Sequence, residues 1–342
     1  MKQKLTALNL DIITALLRYR LMTTAQIHRV VFQPRDKQAA ETSVSNVMRR
    51  LHTHNFVSRD WVAVKSSERS MLGRPSAVWY LKPENLKQLR TELELSGRAD
   101  LYEAFAPFGK SLKDGAALAE NTLRHELAIT DFYSALVLSA SSSQRQLPMW
   151  LRTSPRHADI SRNVTITKTD KKTGKQNTQR LPLNPDGFHV VQHPEKGCAF
   201  FFLEMDMNTE TNSEKITNKF LAYYGYFEHN TFGSDIAARF TERYRLPVTQ
   251  PEKARFCVLF VVPNRKRRND LLLKSRVLTT SNLFQFAVLD DLLADPFGPV
   301  WLSKASFKDH LDEYNRRTHG ESPVLLRDWA HGILDHLPKH AL

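Results

Sequence analysis

The stretch Asn184-Pro185-Asp186-Gly187, followed by Phe200-Phe201-Phe202-Leu203-Glu204-Met205-Asp206, decides how this chain is read. The second segment is an apolar strand that ends in acids. Side chains alternate along a strand, so Glu204 and Asp206 share one face while Leu203 and Met205 point back into a core. Asp186 opens the strand before it, and a hairpin sets Asp186 beside that pair. Carboxylates gathered at strand ends repel one another unless protons or a cation neutralise them, and an all-oxygen ligand set suits Mg²⁺ or Mn²⁺. Asp186, Glu204 and Asp206 are therefore candidate metal ligands. In a chain of net charge +13, an acidic pocket reads as a metal site facing a polyanion.

Outward from this pair the pattern alternates. Upstream, Thr122 to Leu138 has Leu123, Leu127, Phe132, Leu136 and Val137 near helical spacing, with His125-Glu126 on the polar side. A strand near Met149–Thr153 follows. The hydrophilic insert Arg162 to Arg180 comes next, and its centre, Asp170-Lys171-Lys172-Thr173-Gly174-Lys175, has the turn chemistry of a mobile hairpin tip. Downstream lie a helix from Asn212 to His229, a strand at Phe256–Val262, a helix at Asn264–Ser275 and a strand at Phe286–Leu289. The order α-β-β-β-α-β predicts a three-layer α/β core over residues 119–300. Tyr223, Tyr224 and Tyr226 read as core packing. His189 and His193 do not form the close alternating pair of a histidine metal cluster.

The N-terminal quarter has a different pattern. Leu10, Ile13, Leu16 and Leu17 predict a helix over 6–19, and Thr23 or Thr24 is placed to cap a second helix at 25–32. A third helix over 39–54 buries Val44, Val47, Met48 and Leu51 and exposes Ser43, Asn46, Arg49 and Arg50. Two strand-like runs, 57–64 and 77–81, flank a polar segment carrying Arg69 and Arg74. Three helices and then a hairpin is the order of a winged helix-turn-helix, whose third helix enters the major groove. Ser43, Asn46, Arg49 and Arg50 are candidate contacts to bases or phosphates, and Arg69 and Arg74 to phosphates. The expected organisation is a winged helix over 1–95, a linker over 96–118, the core over 119–300 and a helical extension over 301–342.

Charge supports a nucleic-acid partner. Residues 1–82 carry 14 Lys and Arg against 5 Asp and Glu, so +9 of the total +13 falls there. A pI near 9.7 favours nucleic acid, here double-stranded DNA, although an anionic membrane surface would also attract it. Arg265-Lys266-Arg267-Arg268 opens a helix where cations oppose the macrodipole, so a phosphate backbone is the better explanation for the run. The two cysteines, Cys198 and Cys257, both lie in apolar runs and read as buried thiols. No apolar run reaches the ~18 residues of a membrane span, and a cytoplasmic protein without membrane contact is expected. A second copy of the chain and a partner protein are further candidate partners.

Taken in order, these motifs resemble the PD-(D/E)XK nuclease superfamily, in Pro185-Asp186 and Glu204. They resemble more closely the replication-relaxation family of plasmid and mobile-element proteins. That resemblance is carried by the N-terminal winged helix, Arg124-His125-Glu126-Leu127, Pro185-Asp186, and Leu203 to Glu210 leading to Lys219 and Tyr223, over roughly residues 6 to 265. It implies a role in plasmid replication or DNA relaxation, with Mg²⁺- or Mn²⁺-dependent hydrolysis of a DNA phosphodiester. Asp206 stands where the nuclease motif has lysine. Lys215 and Lys219, one helical turn apart, are candidates to replace it, with Lys219 near the scissile phosphate. Glu126 or Glu210 completes a second metal position. The alternative is a non-catalytic DNA-binding regulator of replication or transcription on a nuclease-like scaffold.

Overall fold

A computed structural model of the chain describes residues 5–36, 38, 40–62, 76–81, 83–97, 120–152, 160–169, 173–208, 212–276 and 282–303. Arg69, Arg74 and Glu210 lie outside these residues, as do most of the expected linker, Asp170–Lys172 at the hairpin tip, and the C-terminal segment from 304. The chain divides into two compact units, residues 1–134 and 135–342. The described part is mixed α and β, with a mixed sheet in the second unit.

In the first unit, α1 (Ala7–Tyr19) is capped by Thr6, whose hydroxyl accepts from the Asn9 amide, and buries Ile12, Ile13, Leu16 and Leu17. A short strand β1 (Leu21–Thr23) leads into α2 (Thr24–Ile27), which widens into a π-helical turn over His28–Phe32. Thr23 begins α2 with a capping box: its hydroxyl accepts from the Gln26 amide and its own amide donates to Gln26 Oε1 at 2.8 Å. The third helix, α3 (Glu41–Thr53), puts Val44, Val47, Met48 and Leu51 inside. Strands β2 (Ser58–Val62) and β3 (Ser76–Tyr80) pair antiparallel, and β1 joins the far edge of β3 to give the order β1-β3-β2. α4 (Pro83–Leu95) follows. The helix-helix-helix-hairpin order expected from the sequence is present; β1, only three residues long, was not anticipated because it is too short for a period.

The next helix, α5 (Glu120–Ser142), contains the unit boundary, which falls between Ser134 and Ala135. Its first half belongs to the first unit. Leu123 and Leu127 pack with Leu21, Val78 and Tyr80, Gln26 Nε2 donates to the Leu127 carbonyl at 3.1 Å, and Thr130 Oγ1 donates to the Leu21 carbonyl at 3.2 Å. A sequence boundary drawn at the polar segment ahead of the helix therefore differs from the one set by packing.

In the second unit, β4 (Gln146–Arg152), the hairpin β5 (Arg162–Thr169) and β6 (Gln176–Leu183), β7 (Gly187–His193) and β8 (Gly197–Met205) come in succession. They are followed by α6 (Ser213–Glu228), α7 (Ala238–Tyr244), β9 (Phe256–Val262), α8 (Arg265–Arg276), β10 (Phe284–Val288), α9 (Leu289–Ala294) and β11 (Leu302–Ser303). The main sheet runs β11-β10-β9-β8-β7-β4. β4, β7 and β8 are antiparallel neighbours, while β8, β9 and β10 are parallel, as crossovers through α6 and α8 require. All seven residues of β9 are buried, the mark of a strand covered on both faces. α6 lies on one face, with the Phe220 ring centroid 4.9 Å from those of Phe260 and Phe284. The β5–β6 hairpin forms its own two-stranded sheet on the far side of α6. Gly225 makes that contact possible: a Cβ there would come within 2.7 Å of Ile166 Cγ2 and 3.2 Å of Val164 Cγ1.

Candidate functional site

The β7–β8 hairpin brings Asp186 to the end of β8. Its amide donates to the Leu203 carbonyl at 2.9 Å, and its Oδ2 accepts from the Met205 amide at 2.8 Å. Both bonds follow from the register Gly187↔Leu203. Leu203 and Met205 are buried. Glu204 is also buried, 1% exposed, because α6 covers the face on which it stands. Alternation alone gave no sign of that covering.

Two residues of α6 close on Glu204. Lys219 Nζ donates to Oε2 at 2.6 Å and the Tyr223 hydroxyl donates to Oε1 at 2.5 Å. Four residues separate them, so one helical face delivers both. Asn212 starts this helix, its side chain accepting from the Glu214 and Lys215 amides. Burial pushes the Glu204 carboxyl up to about 7; the Lys219 ammonium opposes the shift and the Asp186 carboxylate adds to it. For Lys219, burial disfavours the charge, but Glu204 and Asp186 outweigh it and hold the ammonium above its ordinary range. Burial and Glu204 together raise the Tyr223 phenol. Tyr223 is 1% exposed, which excludes it as a nucleophile toward a polymer substrate. Lys215, one turn nearer the helix start, is exposed.

Asp206 has a different environment from the one expected. Its Oδ1 accepts from the Asn208 amide at 2.8 Å, and Asn208 adopts φ 60°, so Asp206 shapes the turn leaving β8. Its Oδ2 takes a fork from Arg267, Nη2 at 2.7 Å and Nε at 3.2 Å. Of the three expected metal ligands, Asp206 is held by this arginine fork, which leaves Asp186 and Glu204 as the candidate pair. Among the described residues no group of three or more His, Cys, Asp or Glu is placed to hold a metal ion. A pair still fits Mg²⁺ or Mn²⁺ chemically, because such ions are commonly held by one or two carboxylates, with water and substrate phosphate completing the shell. The Lys219 ammonium already supplies positive charge at that place, and its side chain, 47% exposed, has room to swing away.

The remaining sequence-predicted residues sort by burial. On α3, Ser43, Asn46, Arg49 and Arg50 are all exposed, with Arg49 Nη1 3.5 Å from Asn46 Oδ1. In the run at the start of α8, Arg265 and Lys266 are exposed, but Arg267 and Arg268 are 8% and 4% exposed and do not face solvent. Arg267 neutralises Asp206; Arg268 lies against Asn269, and burial, with Arg265 adding to the effect and Asp291 opposing it, lowers its guanidinium to about 10. Those two are corrected from phosphate contacts to core cations. Glu126 sits in the first unit, where Arg20 Nη1 approaches its Oε2 to 3.4 Å and His125 Nδ1 its Oε1 to 3.9 Å. Tyr223 and Arg267 are the site residues that sequence reasoning left without their roles. The four-residue spacing from Lys219 could have found the first; the second, 61 positions from Asp206, had no local signal.

Among known protein families, the replication-relaxation profile matches residues 13–236, taking in α3, the β7–β8 hairpin, Lys219 and Tyr223. No curated protein and no solved structure matches the chain. No described helix is long and apolar enough to cross a membrane.

Proposed function

Because the chain belongs to the replication-relaxation family, we propose that it binds double-stranded DNA in plasmid or mobile-element replication and relaxation, and that its second unit nicks or cleaves that DNA. The observation that carries the reading is the convergence of Asp186, Glu204 and Lys219 at the end of β8. Two carboxylates beside one ammonium is the charge pattern that phosphodiester hydrolysis needs. In this reading the first unit is a winged helix, α3 its DNA-facing helix, and the second unit a PD-(D/E)XK-like core.

Asp186 and Glu204 are the residues that would hold Mg²⁺ or Mn²⁺. When bound, the ion supplies Lewis-acid charge at the phosphate and lowers the pKa of an attacking water. Asp186 stays fixed through its bond to the Met205 amide. Tyr223 holds the Glu204 rotamer. Lys219, released from Glu204, turns its ammonium to the phosphate oxygens, where negative charge grows in the transition state. Asp206 and Arg267 neutralise each other and brace the turn that positions Glu204.

The alternative, a DNA-binding regulator on an inert scaffold, is favoured by one observation: both Glu204 oxygens are already satisfied within the protein. Supercoiled plasmid incubated with the protein in Mg²⁺, Mn²⁺ or EDTA separates the two. Metal-dependent nicking or linearisation, lost in both Asp186→Ala and Glu204→Ala, is the expected result. Salt-sensitive DNA binding by all three proteins without cutting by the wild type would establish the regulator.

A further inference from the structure

The β5–β6 hairpin is used by none of the chemistry above. Its inner residues Val164, Ile166, Leu181 and Leu183 are buried against the core, which fixes the ribbon on α6. Its base is also tied: Arg162 forks onto Asp235 at 2.6 and 2.7 Å, and His229 Nε2 lies 3.0 Å from the Thr165 carbonyl. The outer face reads differently. Register pairs Asn163 with Pro182, Thr165 with Arg180 and Thr167 with Thr178, and all six side chains are exposed.

Toward its tip the ribbon stands clear of its support, since Gln176, Asn177 and Thr178 at the start of β6 are exposed without a break, as are Thr173 to Lys175 in the turn before them. A strand otherwise lying on a core alternates exposed and buried, so continuous exposure marks a projecting arm. Eight residues per strand make the ribbon about 26 Å long at ~3.3 Å per residue. Over 162–183 the chain has six Lys or Arg and a single acid, Asp170.

We propose that this ribbon is a second DNA-contacting surface, laid along a groove of double-stranded DNA with Arg180 and Lys175 toward phosphates and the threonine rows toward the groove. A two-stranded ribbon fits the major groove, hydroxyl and amide side chains hydrogen-bond to phosphates and base edges, and positive charge meets a polyanion. A protein strand adding to the ribbon edge is the poorer occupant: Pro182 interrupts donation along β6 and the outer face has no large apolar side chain. The inference rests on the DNA-binding reading above but uses residues distinct from α3 and from the Glu204 cluster.

The test is fluorescence anisotropy of the full chain with a labelled 30-base-pair duplex, titrated at several salt concentrations. The variants are Thr167→Glu/Thr178→Glu/Arg180→Glu on the ribbon and Arg49→Glu/Arg50→Glu on α3. The ribbon variant is expected to lose about tenfold or more in affinity and to flatten the log-log salt slope by about 0.9 for each phosphate contact removed. The alanine version of the ribbon variant gives a smaller loss in the same direction, and circular dichroism checks that both fold. Wild-type affinity in a folded ribbon variant, with affinity lost in the α3 variant, overturns the ribbon surface and leaves the DNA-binding reading standing. Absence of salt-sensitive binding by the wild type overturns both, and preference for an RNA duplex of the same sequence overturns the assignment to DNA.

Discussion

Glu204 is a buried carboxyl with a strongly perturbed titration. A carboxyl almost wholly removed from water is stabilised in its neutral form, and the ammonium of Lys219 only partly restores the charge. The native state therefore holds a proton between pH 4.5, the ordinary value, and about 7, where the unfolded chain has released it. More protons bound in the native state means that stability falls as pH rises through this window, then levels off above about 7. The full effect is on the order of 3 kcal/mol. Glu204→Gln, which keeps the shape and cannot titrate, should lose this dependence. Chemical denaturation at pH 5, 6, 7 and 8 checks it; equal slopes for the two proteins would contradict the buried environment assigned to Glu204. Cutting should also rise with pH through about 7, since a carboxylate and not a carboxylic acid is needed to hold a cation.

At the scale of elements, α6 is the keystone of the second unit, because the sheet packs on one side of it and the β5–β6 ribbon on the other. Gly225 is where ribbon and helix come closest. In an exposed helix interior, Gly→Ala usually stabilises by about 0.5–1 kcal/mol. Here the added methyl meets Ile166, so Gly225→Ala should destabilise by about 1–3 kcal/mol. In an Ile166→Ala background the same change should cost little or nothing; an equal cost in both backgrounds, measured by urea unfolding, would remove the contact from the account. Elements whose fate is set by local pattern were readable from the sequence. β9 is an unbroken apolar run and was located to the residue, and α3 and α6 were found within two residues of their ends by period and capping. The shared face of Lys215 and Lys219 followed from helix spacing, but the pairing of Lys219 with Glu204 did not. What escaped was set by distant partners: the seating of Leu123 and Leu127 against β1 and β3, and the withdrawal of Arg267 toward Asp206. A run of four cations looks uniform in sequence, yet the helix turns two of them inward.

Over the whole molecule, net charge of +13 opposes any cation, while the uneven distribution of that charge favours DNA. A divalent ion is retained only if Asp186 and Glu204 create a local field that reverses the global one. Mn²⁺ binding by the intact chain, followed by loss of the free-ion signal in electron paramagnetic resonance at pH 8, tests that local field most directly. The prediction is that wild type and Asp206→Asn each bind Mn²⁺ with similar affinity, and that Glu204→Gln, folded by circular dichroism, loses the site. Mn²⁺ binding absent from the wild type, or undiminished in Glu204→Gln, would contradict the assignment of this cluster as the metal-dependent centre.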